Sequence, residues 1–108
     1  MKMIKAIVRP EKAGEVLDAL NKEGYRAVTK YSILGRGNQR GLRVGDIYYD
    51  EIAKSMLLIV VKDQEEDRVT KIILDAAKTD KKGNFGDGKI FVLPVEKSIT
   101  ISSGEVEV

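Results

Sequence analysis

Apolar residues recur along this chain with two different periods, and the switches between them mark its elements. Residues 3–9, Met-Ile-Lys-Ala-Ile-Val-Arg, read as a strand. Pro10 stops it and suits the first turn of a helix. Ala13, Val16, Leu17 and Leu20 then fall at i, i+3, i+4 and i+7, one apolar helix face. Gly24 stands where a helix C-terminus favours a left-handed residue. Residues 25–34 are rich in Val, Thr, Tyr and Ile, which favour a strand. A glycine-rich stretch, 35–41, and a polar stretch to about Lys54 follow without clear periodicity, a length that in a compact domain usually serves function. Met56 to Val61 are apolar without interruption, which predicts a strand covered on both faces. Asp63 with Glu66 resembles a capping box, and Val69, Ile72, Ile73 and Ala76 repeat the helical spacing. A second loop, 79–88, holds three glycines. Ile90 to Val95 reads as a strand in which Pro94 indicates an edge or a bulge. Residues 99–102 suggest a short last strand, and the acidic tail 104–108 reads as loose.

The order β-α-β-loop-β-α-loop-β predicts an α+β class, a ferredoxin-like βαββαβ sandwich with a four-stranded antiparallel sheet and two helices on one face. At 108 residues, 1–108 fits a single domain. One face of the sheet is then left without cover, although the strand at 56–61 is apolar on both. A second copy or a close relative is expected to cover it.

Composition narrows the chemistry. Cysteine and histidine are both absent, which removes disulfides, thiol nucleophiles, imidazole bases and the usual transition-metal ligands. This favours a binding module over an enzyme. Lys and Arg total 19 against 17 acids, a net charge of +2, too mild to indicate nucleic acid. Aromatics are 6% of the chain and offer no base-stacking platform. No apolar run approaches ~20 residues and no signal peptide opens the chain, so the expected location is cytoplasmic, without membrane insertion.

Each half ends in a glycine loop with a basic residue nearby: Gly35-Arg36-Gly37-Asn38-Gln39-Arg40-Gly41 and Gly86-Asp87-Gly88-Lys89. Glycine lets backbone N–H groups approach phosphate oxygens, and lysine supplies the counter-charge. The first loop does not match the GxxxxGK[ST] pattern. By residue type alone, each is more readily a turn than a phosphate cradle, and their matching places in two half-repeats bring the two readings level.

The chain resembles the PII nitrogen regulatory family over nearly its whole length. Lys2-Met3-Ile4-Lys5-Ala6-Ile7 with Arg9-Pro10 is similar to the family's first strand and turn. Gly35 to Gly41 resembles its first glycine loop. Ala77-x-Thr79 with Gly86-Asp87-Gly88-Lys89-Ile90-Phe91-Val92 resembles its most specific signature, and Ser103-Gly104-Glu105 resembles the close of its last strand. The resemblance implies a trimer that holds ATP or ADP between subunits, with Ile7, Thr29, Gly35, Gly37, Asn38, Gln39, Val60, Gly86, Asp87, Gly88 and Lys89 around the nucleotide. It implies 2-oxoglutarate beside the phosphates, held by Gln39, Lys54 and Gly86 and joined to ATP by Mg²⁺, for which Gln39 is the metal-side residue. A divalent ion with oxygen ligands reconciles two mutually repelling anions. Residues 37–54 become the effector loop, with Arg40, Arg43, Asp46, Tyr48 and Tyr49 as partner contacts. The two tyrosines read as contacts rather than modification sites.

Asn38, Thr100 and Ser102 stand where the family pattern has phosphate-side arginines. Each lost charge-assisted hydrogen bond is worth roughly 1.5–3 kcal/mol, which Arg36, Arg40, Lys81 or Lys82 would have to offset. These departures, with Val44-Gly45-Asp46-Ile47 and Pro94-Val95-Glu96, resemble the nitrogen-fixation branch found in methanogens and anaerobic bacteria. That branch implies a pair of related subunits that bind and block the dinitrogenase component of nitrogenase until 2-oxoglutarate releases them. The alternative within the family is a regulator of another target, such as an ammonium transporter or glutamine synthetase. Outside it stand a small ferredoxin-like nucleotide hydrolase, restricted to carboxylate bases such as Asp87 or Asp46, and an RNA-binding domain, which would lack surface aromatics.

Overall fold

The computed structural model describes residues 1–36, 42–44, 47–49 and 51–108. Its elements are β1 (Lys2–Val8), α1 (Pro10–Lys22), β2 (Thr29–Gly35), the short strands β3 (Leu42–Val44) and β4 (Ile47–Tyr49), β5 (Ile52–Val61), α2 (Glu66–Ala77), β6 (Gly88–Pro94), β7 (Ser98–Ile99) and β8 (Val106–Glu107). The main sheet runs β2-β5-β1-β6, all antiparallel, and both helices pack on one face. This is the α+β ferredoxin-like sandwich that the periodicity predicts.

The core lies between that face and the helices. Ile4, Ala6 and Val8 of β1 and Leu57, Ile59 and Val61 of β5 meet Ala13, Val16 and Leu20 of α1 and Val69, Ile73 and Ala77 of α2. Pro10 opens α1 with its φ already helical. Gly24, at φ +92°, closes it: Tyr25 N–H reaches Leu20 O at 2.9 Å and Gly24 N–H reaches Asn21 O at 3.0 Å, the two bonds of a Schellman cap. Ile73 is 1% exposed. Ile73→Ala is expected to cost about 2–5 kcal/mol by methylene and cavity loss, read as a drop in the urea midpoint at unchanged slope.

Five details differ from the sequence reading. The strand expected at 99–102 is Ser98–Ile99 instead, because residues 101–103 form a turn. The second strand begins at Thr29 rather than Tyr25, because residues 25–28 complete the helix cap and turn. Lys54 is not at the end of an aperiodic loop: β5 starts at Ile52, and Lys54 stands opposite Ile33 of β2. The capping box at Asp63 does not form. Residues 63–65 make a 3₁₀ turn without a side-chain cap, and Asp63 instead pairs with the Met1 amine at 2.9 Å. The acidic tail is ordered in part, because Val106 and Glu107 pair with Ile99 and Ser98 around a turn in which Gly104 adopts φ +72°.

Strand β5 also explains its unbroken apolar run. Ser55, Leu57, Ile59 and Val61 lie under the helices, while Met56, Leu58 and Val60 project from the other face. In the single chain that second face keeps Tyr31, Val60, Phe91 and Leu93 at 39–45% exposure. Strand β6 is an edge strand, as Pro94 indicated, and the proline falls at its end opposite Lys2.

Candidate functional site

Antiparallel register brings the start of the first glycine loop and the second glycine loop to one end of the sheet. The first leaves β2 after Gly35, opposite Ile52. The second enters β6 at Gly88, opposite Val8, which itself faces Ser55. Ile7, Lys54, Gly35, Gly86, Asp87, Gly88 and Lys89 therefore share that end. Gly88 sits so close to β1 that a Cβ on it would lie 1.7 Å from the Ile7 carbonyl oxygen, and its φ is +121°.

The second loop is held by a carboxylate. Asp87 Oδ1 accepts from Arg9 Nε at 2.9 Å and from the Thr79 hydroxyl at 2.6 Å. Its Oδ2 accepts from the backbone N–H of Thr79 at 3.0 Å and of Asn84 at 2.9 Å. Burial pushes the Asp87 carboxyl up, but the Thr79 hydroxyl, the two N–H groups and Arg9 together hold it far below the usual carboxylate range. A depressed carboxyl stabilises the fold above the unfolded value near 4 and loses that contribution as pH falls below it. The stability gap between wild type and Asp87→Asn is thus expected to be constant from pH 7 to about pH 5 and to narrow below about pH 4 in urea titrations. A constant gap to pH 2 would count against this.

Lys54 reaches into the same loop. Its Nζ donates to the Gly86 carbonyl oxygen, while Arg9 Nη2 donates to the neighbouring Phe85 carbonyl at 2.8 Å. Burial, followed by the nearby Arg9 charge, lowers the Lys54 pKa. Beside the loop an open groove of about 970 Å³ runs between α2 and β6, lined by Ile7, Ile73, Leu74, Phe85 and Lys89, with Lys82 at the loop.

Two of the expected nucleotide residues stand apart. Thr29 is opposite Leu58, and Val60 is opposite Met3. Val60 lies six positions along β5 from Lys54, roughly 20 Å at about 3.3 Å per residue. Gly37, Asn38, Gln39, Arg40 and Asp46 lie outside the described residues, and with Gln39 goes the expected Mg²⁺ contact. In the backbone register of the β3–β4 pair Arg43 is partnered with Tyr48, and Leu42 with Tyr49. Among the described residues no three acids are grouped to hold a metal, and no helix is long and apolar enough to cross a membrane. Arg9, Thr79 and Asn84 were not expected as site residues. The only available signal was an acid inside a glycine loop with hydroxyl and amide residues a few positions before it.

Residues 1–105 match the family described as nitrogen regulatory protein P-II. The chain belongs to the P-II family. It is 53% identical over 105 residues, 97% of each chain, to the nitrogen fixation nifHD region GlnB-like protein 1 of Methanothermococcus thermolithotrophicus. It is 52% identical over 105 residues, again 97% of each, to the nifHD2 region GlnB-like protein 1 of Methanosarcina barkeri. The crystal structure of Arabidopsis thaliana PII bound to citrate superposes with a TM-score of 0.79 at 37% identity, covering 98% of this chain and 84% of that one. The PII resemblance read from the glycine loops and the first strand is thereby established, as is its tie to nifHD-region proteins.

Proposed function

We propose that this PII chain is a regulator of nitrogen fixation that binds ATP or ADP with 2-oxoglutarate and inhibits nitrogenase by binding its dinitrogenase component, with 2-oxoglutarate relieving the inhibition. The observation that carries the reading is the half-buried Lys54, directed at the Gly86 carbonyl at the end of the sheet where both glycine loops emerge. A carboxylate ligand offers that ammonium a charge-assisted hydrogen bond, about twice as strong as one between neutral groups. The Arabidopsis relative was crystallised with citrate, a carboxylate ligand, which agrees in chemical class. The relatives' nifHD-region names support nitrogenase as the target.

In this reading Lys89 meets the nucleotide phosphates and Ile7 flanks the base. Mg²⁺, held partly by Gln39, neutralises charge between the phosphates and the dicarboxylate. Thr29 and Val60, distant within one chain, join the site from a neighbouring subunit of a trimer, whose assembly covers the open sheet face. The exposed Thr100 supplies no charge where an arginine was expected, nor does Ser102, so a homologous second subunit in a mixed oligomer contributes phosphate contacts. The chain works in the cytoplasm without catalysis of its own.

The test is nitrogenase activity with the purified chain and its paired subunit added. Inhibition that is reversed by ATP, Mg²⁺ and 2-oxoglutarate together supports the reading. Unchanged activity, with no complex on co-sedimentation with the dinitrogenase component, would refute it and favour another target.

A further inference from the structure

We infer that Asp87 is not a ligand-contacting residue but the hub that preforms the nucleotide loop, with Arg9, Thr79 and Asn84 as positioning residues. The inference rests on the proposed nucleotide site and reassigns one of its expected members.

A carboxylate has about four lone-pair positions. All four are used inside the chain: Arg9 Nε and the Thr79 hydroxyl on Oδ1, and the N–H groups of Thr79 and Asn84 on Oδ2. A phosphate oxygen, itself anionic, gains nothing from such a group, and a cation could reach it only by displacing donors. The donors also come from separate places. Thr79 follows α2, Asn84 lies in the loop, and Arg9 stands 78 positions away at the β1–α1 corner. Asn84 Nδ2 donates to the Thr79 hydroxyl at 2.8 Å, so that hydroxyl accepts one bond while giving another. Arg9 uses its fork twice, on Asp87 and on Phe85 O. One side chain therefore ties the two stems of the loop to each other and to β1.

The consequence is preorganisation. Gly86 and Gly88, whose backbone would face the phosphates, are set between Lys54 and Ile7 before any ligand arrives, so less ordering is lost on binding. Residues that act through one hub are non-additive when removed together.

The test is calorimetric ATP binding with Mg²⁺ to the assembled protein, alongside amide hydrogen exchange of the ligand-free protein. Asp87→Asn is expected to weaken ATP binding about tenfold and Thr79→Val severalfold. The double variant should match Asp87→Asn within about twofold, and Thr79→Ser should restore wild-type binding. Exchange at the Thr79 and Asn84 amides should rise at least tenfold in Asp87→Asn, with α1 unchanged. Weakened ATP binding in Asp87→Asn with wild-type exchange at those amides would make Asp87 a ligand and overturn the inference, as would multiplicative losses in the double variant. If the wild type takes no ATP, the nucleotide reading fails separately, and exchange alone decides whether Asp87 is committed within the chain.

Discussion

Gly88→Ala is expected to abolish nucleotide binding and to lower stability by roughly 2–5 kcal/mol, combining overpacking with a disfavoured φ. The new methyl would stand 1.7 Å from the Ile7 carbonyl oxygen and 2.8 Å from the Ile7 carbonyl carbon. Both are backbone atoms of β1, which is paired to β5 on one side and β6 on the other. They cannot retreat without parting the middle of the sheet. The φ of +121° adds a second penalty, because L side chains rarely adopt it. The easier response is for β6 to detach at its start, which carries Gly86, Asp87 and Lys89 away from Lys54. Urea unfolding and ATP calorimetry on the variant read both effects. A variant with wild-type stability and affinity would show that the Gly88–Ile7 approach plays no part in the site.

Lys54→Ala is expected to remove the 2-oxoglutarate response almost completely while leaving ATP binding within a fewfold of wild type. The lysine sits in β5, paired with Ile33 of β2 and next to Ser55, which pairs with both β1 and β2, so its Cα stays held and only the ammonium is lost. Its bond to Gly86 O is to a neutral carbonyl and one side of the loop, whereas Arg9 still holds Phe85 O and Asp87. The loop therefore keeps its shape. A 2-oxoglutarate carboxylate, by contrast, loses its cation. Lys54→Arg should recover little, since a planar fork differs from a compact ammonium in reach and geometry. A Lys54→Ala protein that still binds 2-oxoglutarate at wild-type affinity would move the effector site elsewhere.

The fold was largely legible because its helices show one clean apolar face each. Ala13, Val16 and Leu20 are buried, with Leu17 beside them, and Val69 and Ile73 likewise with Ile72 and Ala76 packed against the core. Strand β5 was legible in its apolar half only: Ala53, Lys54 and Ser55 are small or polar, so its first turn toward the loop carried no strand signal. Strands β7 and β8 are two residues each, too short to leave a period. The site was legible at its glycines, whose matching places in two half-repeats anticipated that Gly35 and Gly88 share one end of the sheet. Lys54 came through the family resemblance. Arg9 did not, because its contact with Asp87 depends on the antiparallel register of β1 against β6, which no local pattern encodes. Thr29 and Val60 illustrate the opposite limit: they were grouped by resemblance, and the single chain holds them apart.

The most direct test of the nitrogen-sensing role is calorimetric titration of 2-oxoglutarate into the chain, with its paired subunit, ATP and Mg²⁺ present. A saturable binding heat that disappears when ATP or Mg²⁺ is omitted is the expected result. No heat under the complete conditions would contradict the account.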